Sequence, residues 1–383
     1  MTYLLAICRW FTGFVLCAFG FMRGIDAMGF SYKIAEYFKV FHIDEFELLS
    51  LPAALIFCAA CTSCGVGLLL RVKLRTAALG ALLLSGMASA MAYYAWHYGV
   101  VHACVCFGDI FETGSALGNL YARILVMFVS LLLSGYYTSR NKYEFNSDRN
   151  STAMFLSGLA CTAVGMYGTL NLPLIDFRPY KTGVNILQSM SIPEDAPQFE
   201  YATVLYYRNN QTGLVKEFTE DNYPWRDTVN WTYQHMKNKM VKQGYQPPIT
   251  DFMVKTEDEN DITLDILSDT SYNFLLVAAD VSHSNLKMQP QINRLYEFCK
   301  TNGYHFRCLT ASTPKQIARF KIISGAEYEF CIADATVLKT MITSNPGLLL
   351  LKNGVIVNKW HYNNLPPPEK LITKYGFVQR KES

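Results

Sequence analysis

The sequence predicts a membrane α-helical bundle of five transmembrane helices followed by a soluble α/β domain. Two observations carry this prediction. Charged residues make up 17% of the 383 residues and hydrophobic residues 51%, whereas about 25% of a soluble domain is charged. The apolar residues are also unevenly distributed, because long uncharged runs stop at about residue 172 and short apolar strands alternate with polar helices after it.

Five segments are long and apolar enough to cross a bilayer, which takes about 20 helical residues. They are Tyr3–Met22, Leu49–Leu70, Thr76–Tyr98, Leu117–Tyr137 and Thr152–Leu170. The first is interpreted as a retained helix and not as a signal peptide, because Arg9 lies inside the apolar run and no small-x-small cleavage site follows. After it, Phe30–Phe41 has apolar residues at helical spacing, which predicts an amphipathic helix lying in the membrane interface.

The loops between these segments predict the orientation of the chain. Arg71–Arg75 joins the second and third segments, and Arg140, Lys142 and Arg149 lie between the fourth and fifth. Basic loops stay in the cytoplasm, so the N-terminus is expected inside and everything after about residue 172 outside. In a bacterial inner membrane, the C-terminal domain would then be periplasmic.

The soluble part divides into two regions, which gives predicted domains of 1–172, 173–261 and 262–383. The middle region predicts a hairpin over ATVLYYRNNQTGLVKEF and a helix around Asp227–Lys242. The last region alternates strands and helices, with a final hairpin whose turn is Asn353-Gly354. Its predicted strands are FLLVAA, HFRCLTA, EFCIAD and LLLLKNGVIVNKW, and its helices are Asn285–Lys300, Thr313–Ser324 and Thr336–Ser344.

This order of elements resembles a thioredoxin-like domain that lacks the usual Cys-x-x-Cys. In that superfamily a cis-proline precedes the strand of the final hairpin, and Pro346 occupies that position. The redox cysteines should follow the FLLVAA strand, where this chain has Ser282-His283-Ser284-Asn285. Cys299, Cys308 and Cys331 fall on a helix and two core strands, where buried inert thiols are expected.

The loop between the third and fourth segments carries the motif Cys104-Val105-Cys106-Phe107-Gly108-Asp109. Two thiols one residue apart in an oxidising compartment predict dithiol–disulfide exchange, and the short spacing makes such a disulfide strained and easily reduced. A structural bridge or packed thiols are the alternative.

Arg123 in the next apolar segment needs a partner, and Asp109 is the candidate. The two residues either pin the loop or form a charged cluster that lowers a thiol pKa.

Two other groups of residues have a functional and a structural interpretation. Cys58, Cys61 and Cys64 span about 120° of one helix face, and with Met87 and Met91 they form a conceivable copper set, although cysteine is an ordinary packing residue in apolar helices. Packing is the favoured interpretation, so no metal site is predicted. His97 and His102 flank the outer end of the third segment, where haem or quinone binding competes with a role in the interfacial aromatic belt.

The membrane half resembles the DoxX-like/MauE family of redox-associated membrane proteins. The residues that carry this resemblance are Arg9, Gly13, Gly20 through Asp26, Gly29, Tyr32 through Tyr37, Cys104-x-Cys106-Phe107-Gly108 and Arg123. The whole chain, including Leu174 through Tyr180 and Asn345-Pro346-Gly347, is similar to a fused subgroup with a periplasmic domain. The resemblance implies thiol oxidation or electron transfer in the envelope, since MauE is associated with maturation of a disulfide-rich dehydrogenase. By analogy with disulfide-generating quinone reductases, a quinone is the possible cofactor.

The expected function is therefore redox exchange at Cys104 and Cys106, with the outer domain binding a periplasmic or membrane protein partner. Whether the chain is an enzyme, a thiol-disulfide oxidoreductase, stays open. The alternatives are a non-enzymatic envelope scaffold or assembly subunit with structural cysteines, and a metal or electron-carrier subunit. The lipid bilayer is the other partner, and a net charge of +3 without a basic tract argues against nucleic acid.

Overall fold

The computed structural model describes residues 2–98, 116–139, 148–242 and 244–377. Among the described residues of the N-terminal half, five helices are long and apolar enough to cross a membrane. The five predicted segments are therefore confirmed as helices. A shorter helix, α2, lies between the first two. The helices are α1 (Thr2–Ile25), α2 (Ala27–Val40), α3 (Ser50–Leu70), α4 (Leu74–Tyr98), α5 (Ala116–Ser139) and α6 (Asp148–Leu170).

Small residues let α1, α3 and α6 approach closely, as is common where apolar helices pack in a membrane. A Cβ atom on Gly20 of α1 would lie 2.7 Å from the carbonyl oxygen of Cys58 in α3. A cysteine packs at the same place, because the Sγ of Cys161 in α6 donates to the Gly20 carbonyl at 3.4 Å. Cys58 and Cys61 are buried in this packing, and the described ranges contain no group of three or more His, Cys, Asp or Glu side chains placed to hold a metal ion.

Arg9 is buried in α1, where its charge is matched by the end of α3. Its Nη1 donates to the carbonyl of Leu68 and, at 3.1 Å, to that of Leu69. These carbonyls belong to the last turn of α3, whose oxygens have no partner within the helix and carry partial negative charge. The cation inside the first apolar segment therefore links the N-terminal half of α1 to the C-terminal end of α3.

The C-terminal domain is a six-stranded sheet with the order β4-β7-β6-β5-β8-β9. Strands β5, β6 and β7 are mutually parallel, and β8 and β9 form the antiparallel hairpin. The Asn345–Pro346 peptide bond is cis and lies directly before β8, which confirms the expected thioredoxin-like arrangement. The strands are β4 (Lys255–Thr256), β5 (Tyr272–Val277), β6 (His305–Thr310), β7 (Glu329–Ile332), β8 (Gly347–Lys352) and β9 (Val355–His361).

Helices cover both faces of this sheet, so the central strands are buried on both sides. In β8, every residue except Lys352 is buried. Helix α10 begins as predicted after Thr313, whose backbone N–H donates to the Gln316 side chain at 2.8 Å, a capping-box contact. The helices are α8 (Thr263–Ser268), α9 (Gln289–Asn302), α10 (Pro314–Ser324), α11 (Ala335–Met341) and α12 (Pro368–Tyr375).

Residues 186–251 form a separate compact unit with a short helix, α7 (Ile186–Met190), and a three-stranded antiparallel sheet of order β2-β1-β3. Strands β1 (Glu200–Asn209) and β2 (Val215–Thr219) confirm the predicted hairpin. The predicted helix around Asp227–Lys242 is wrong, because Trp231–Lys242 is strand β3. Its pairing with β1 runs from Asn209 opposite Trp231 to Glu200 opposite Lys242, and such long-range pairing overrides local helix propensity. The domain limits at 172 and 261 stay predictions.

Candidate functional site at the outer end of the bundle

The predicted redox motif, Cys104 and Cys106 with Asp109, lies outside the described residues, so the structure does not test it. Arg123 is described and lies on α5, where it is buried. Its Nη1 donates to the carbonyl of Ala88 in α4 at 3.2 Å, which provides the cation with a main-chain partner inside the bundle. The pairing of Arg123 with Asp109 stays a prediction.

A small cavity lies beside Arg123, lined also by Phe19, Phe57, Cys61 and Ser85. Its volume is about 50 Å³, whereas pockets for organic ligands usually measure roughly 300–1,000 Å³. The quinone stays a prediction. His97, at the outer end of α4, stacks on Tyr93 with ring centroids 5.7 Å apart, as an aromatic-belt residue would.

The turn after β5 occupies the position of the redox cysteines in a thioredoxin-like fold. The predicted helix Asn285–Lys300 begins late, because residues 281–283 and 286–288 form 3₁₀ turns and α9 starts at Gln289, next to Pro290. Asp280 closes the first turn, since its Oδ1 accepts from the Ser282 N–H at 2.8 Å and its Oδ2 lies 2.7 Å from His283 Nδ1. Asn345 Nδ2 donates to the Asp280 carbonyl at 2.8 Å, which holds this turn next to the cis-proline. The site keeps its shape and has no thiol.

The cysteines of the C-terminal domain are core residues, as predicted. Cys299, Cys308 and Cys331 are each 0% exposed. Burial raises the pKa of all three thiols, that of Cys331 to about 12, and a protonated, inaccessible thiol is a poor nucleophile. The chain has eleven cysteines, and nine of them are free thiols in the described ranges. The remaining two are Cys104 and Cys106.

A larger polar cavity lies where the C-terminal end of α1 and helix α2 meet the C-terminal domain. The end of the bundle next to the C-terminal domain is called the outer end, and this cavity the outer cavity, below. Its volume is about 500 Å³, within the range of ligand pockets. Three parts of the chain form it: the outer turns of the bundle, residues 177–179 and helix α11. The lining residues are Met22, Arg23, Asp26, Gly29, Tyr32, Lys33, Ala35, Glu36, Lys39, Phe177, Arg178, Pro179, Ala335, Thr336, Lys339 and Thr340.

An ion pair between the buried Arg178 and the partly exposed Asp26 lines the outer cavity. Arg178 Nη2 lies 2.7 and 2.6 Å from the two carboxylate oxygens of Asp26, and Nε is 3.1 Å from one of them. Asp26 also begins α2, because its Oδ1 accepts from the Gly29 N–H at 3.0 Å. Burial opposes the charge on Arg178, but Asp26 and Asp176 outweigh it and raise the pKa of the guanidinium. The guanidinium of Arg178 therefore keeps its charge throughout the physiological range.

Further polar contacts attach the C-terminal domain to the end of α6. Buried Lys359 of β9 donates to Asp176 Oδ2 at 2.6 Å and to the Tyr180 carbonyl at 3.0 Å. Burial lowers the pKa of Lys359, and Asp176 opposes this shift. Asn363 Nδ2 donates to the Leu170 carbonyl at 2.7 Å. Together with the ion pair, these contacts form what is called the attachment network below.

The sequence pattern assigned no role to Asp26, Asp176, Arg178 or Lys359. Asp26, Asp176 and Arg178 belong to the segments that carry the family resemblance, whereas Lys359 lies on an ordinary strand. Charged residues directly after an apolar segment are usually solvated, so composition gives no reason to pair them. One signal for these ion pairs was available in the sequence: Asp176-Phe177-Arg178 lies only a few residues beyond the last membrane helix.

Comparisons with family models match two parts of the chain. The family described as Methylamine utilisation protein MauE matches residues 1–136, and a domain of unknown function, DUF8463, matches residues 201–243. No match was found among curated proteins.

Solved structures with similarity to the C-terminal part include thiol-disulfide proteins. One is described as a disulfide isomerase from Bacteroides thetaiotaomicron, with 17% identity over 34% of this chain and 87% of that chain and a TM-score of 0.27. The thioredoxin domain of a Bacteroides vulgatus thiol-disulfide oxidoreductase gives 12% identity over 34% of this chain and 93% of that one, with a TM-score of 0.27. StoA from Bacillus subtilis has 17% identity over 31% of this chain and 92% of that chain, with a TM-score of 0.25.

The fold of the C-terminal domain rests on its own strand order and on the position of Pro346. The chain therefore joins a membrane domain that is similar to the MauE family over residues 1–136 to a thioredoxin-like domain.

Proposed function

We propose that this protein takes part in thiol–disulfide exchange at the outer face of a bacterial inner membrane, with Cys104 and Cys106 as the exchanging pair. The observation that carries the proposal is the side on which helix α4 ends. Tyr94, in the last turn of α4, packs on Phe41 after α2 with ring centroids 4.9 Å apart. Both lie at the end of the bundle to which the C-terminal domain is attached, so the chain enters the Cys104 loop on the side of that domain.

The distribution of thiols supports the same proposal. The thioredoxin-like domain has serine, histidine and asparagine where its fold would place cysteines, and its own thiols are buried in the core. Exchange chemistry needs an accessible thiolate. The proposal assigns it to Cys104 and Cys106, because the other thiols lie in the core of the C-terminal domain or within the apolar helices. In the proposed step, a partner's dithiol is oxidised to a disulfide, and the Cys104–Cys106 disulfide takes up the two electrons and two protons.

The thioredoxin-like domain then serves to bind the partner. Its turn at residues 280–285 has the position that contacts substrates in this fold, and His283 there is 82% exposed at its side chain. The attachment network keeps the domain fixed to the bundle, so a partner bound to it stays on the side of the Cys104 loop. Asp109 and Arg123 are proposed to hold that loop, and quinone is the proposed electron acceptor.

The test is a trapping experiment with the full-length protein in membranes. A Cys106→Ala variant leaves Cys104 without its resolving thiol, so a mixed disulfide with the partner should accumulate and disappear with reductant. Cys64→Ala is the matched control, because it removes a thiol inside the bundle and keeps the pair. The expected result is an adduct with Cys106→Ala or Cys104→Ala and none with the control.

Differential alkylation of intact cells reads the state of each thiol separately. Cys104 and Cys106 should change between oxidised and reduced with mild reductant, while Cys299, Cys308 and Cys331 should stay unmodified until the protein is denatured. A pair that stays fully reduced, or that resists strong reductant, contradicts the exchange mechanism.

A non-enzymatic scaffold is the second candidate, and the attachment network favours it. A buried ion pair and a buried lysine at the junction fix the domain to the membrane bundle without contributing chemistry. In that case, alanine at both Cys104 and Cys106 leaves partner binding and cell physiology unchanged, whereas disruption of the network impairs both.

A further inference from the structure

We propose that the outer cavity binds a phosphate-bearing anion through Arg23 of α1 and Lys339 of α11. This inference is independent of Cys104 and Cys106. Five cationic side chains line the cavity, Arg23, Lys33, Lys39, Arg178 and Lys339, against two carboxylates, Asp26 and Glu36. The cavity therefore has an excess of positive charge, which attracts anions.

Three of the five cations are already neutralised. Arg178 pairs with Asp26 at 2.6 Å, Lys33 with Glu36 at 3.3 Å, and Lys39 with Glu47 at 3.4 Å. Across the ranges that the structure describes, no carboxylate comes within salt-bridge distance of Arg23 or Lys339. These two side chains carry the charge that a ligand would neutralise.

Aromatic rings position both cations without neutralising them. The Arg23 guanidinium carbon lies 5.7 Å from the ring centre of Phe30, and Lys339 Nζ lies 5.2 Å from that of Tyr32. Such contacts orient a cation and leave its N–H donors available. Arg23 Nε is buried without a hydrogen-bond partner among the described residues, and a buried donor of this kind costs free energy until a ligand satisfies it.

The remaining walls fit a phosphate group better than a simple carboxylate. Tyr32, Thr336 and Thr340 add hydroxyl groups beside the two cations, and phosphate has enough oxygens to accept from an arginine, a lysine and hydroxyls together. Met22, Phe177 and Pro179 give the cavity an apolar side. The first membrane helix ends at Ile25, so the cavity lies at the depth of lipid headgroups. A phospholipid headgroup and a free phosphate ester share this chemistry.

The experiment is native mass spectrometry of full-length protein that has been stripped of lipid in detergent. Phosphatidylglycerol, inorganic phosphate and oleate are titrated separately, and bound adducts are counted. The variant carries Arg23→Gln and Lys339→Gln. The control is Lys352→Gln, because Lys352 Nζ also lies over a tyrosine ring, 4.7 Å from Tyr272, outside the outer cavity.

Loss of both charges should weaken binding by about tenfold or more, since each charge-assisted contact is strong, while the control binds as the wild type does. Binding of phosphatidylglycerol alone identifies a lipid headgroup, and binding of inorganic phosphate identifies a free phosphate compound. The proposal is overturned if neither phosphatidylglycerol nor inorganic phosphate binds, or if the double variant binds with unchanged affinity. It is also overturned if oleate binds with equal affinity and the double variant weakens oleate binding equally. The single variant Lys339→Gln, on the surface of α11, repeats the test if the double variant does not fold.

Discussion

Asp26 and Arg178 lie 152 residues apart in the chain and form a buried ion pair whose shortest contact is 2.6 Å. Arg178 is 8% exposed, and its Nη1 also donates to the carbonyl of Lys339 in α11 at 3.1 Å. One side chain therefore connects the first turn of α2 to the C-terminal domain. The pair favours this arrangement of the domain and the bundle, because the buried Arg178 has its counterion only here.

Removal of one member of this pair is expected to destabilise the junction strongly. Asp26→Asn leaves the buried Arg178 without its counterion and should cost roughly 3–5 kcal/mol. Arg178→Met should cost less because the Asp26 side chain is 25% exposed, and the double variant should lose less than the sum. Thermal unfolding in detergent, analysed as a double-mutant cycle, measures the difference. Lys33→Gln is the control, since the half-exposed Lys33–Glu36 pair should contribute at most about 1 kcal/mol. Additive single effects would show that the two residues are not coupled.

Gly29 is expected to be essential for the same ion pair. A Cβ atom there would lie 2.5 Å from Asp26 Oδ2 and 2.6 Å from Arg178 Nη2, so Gly29→Ala forces the two charges apart. We expect a lower unfolding temperature, corresponding to about 1–3 kcal/mol. Gly86→Ala in α4 is the matched control, because nothing lies within 4 Å of its Cβ position, and alanine favours a helix. Equal effects of the two substitutions would contradict this role.

The C-terminal domain is expected to lose stability at mildly acidic pH because of His361. This ring is 2% exposed, and burial lowers its pKa to about 4, against an opposing hydrogen bond with the backbone of Thr169. Between about pH 6.5 and pH 4, the unfolded chain binds a proton that the folded chain excludes. Stability is therefore complete above about pH 6.5 and falls as the pH decreases, by at most about 3 kcal/mol.

Unfolding temperatures from pH 8 to pH 4.5 measure this loss. The variant His361→Gln keeps hydrogen-bonding groups and cannot take up a proton, so its unfolding temperature should change less with pH than that of the wild type. Parallel curves for the two proteins would assign the acid sensitivity to other groups.

The orientation of the chain is expected to place the C-terminal domain outside the cytoplasm. The basic loops at Arg71–Arg75 and Arg140–Arg149 predict it. Alkaline phosphatase fused after Ser383 should be active in the periplasm, and a green fluorescent protein fused at the same place should stay dark when exported by the general secretion route. A fluorescent fusion with an inactive phosphatase would reverse the topology and remove the oxidising compartment on which the thiol proposal depends.

Much of this protein follows from its sequence because the responsible signals are local. A bilayer requires about 20 apolar residues for each crossing, so the five membrane helices follow from composition alone. The alternation of strands and helices, the Pro346 position and the Asn353-Gly354 turn predict the thioredoxin-like domain in the same way. The missing thiols at Ser282–Asn285 are also a property of the sequence, because the fold gives that segment a fixed place.

The tertiary structure decided what depends on residues far apart in the chain. Strand β3 was predicted as a helix because its partner β1 is about thirty residues away, and local propensity does not record such pairing. The pairing of Asp26 with Arg178 and of Asp176 with Lys359 requires the C-terminal domain to return to the outer end of the bundle. Charge and spacing identify these residues as polar, but only the folded chain buries Arg178 and Lys359 and makes each depend on its carboxylate partner.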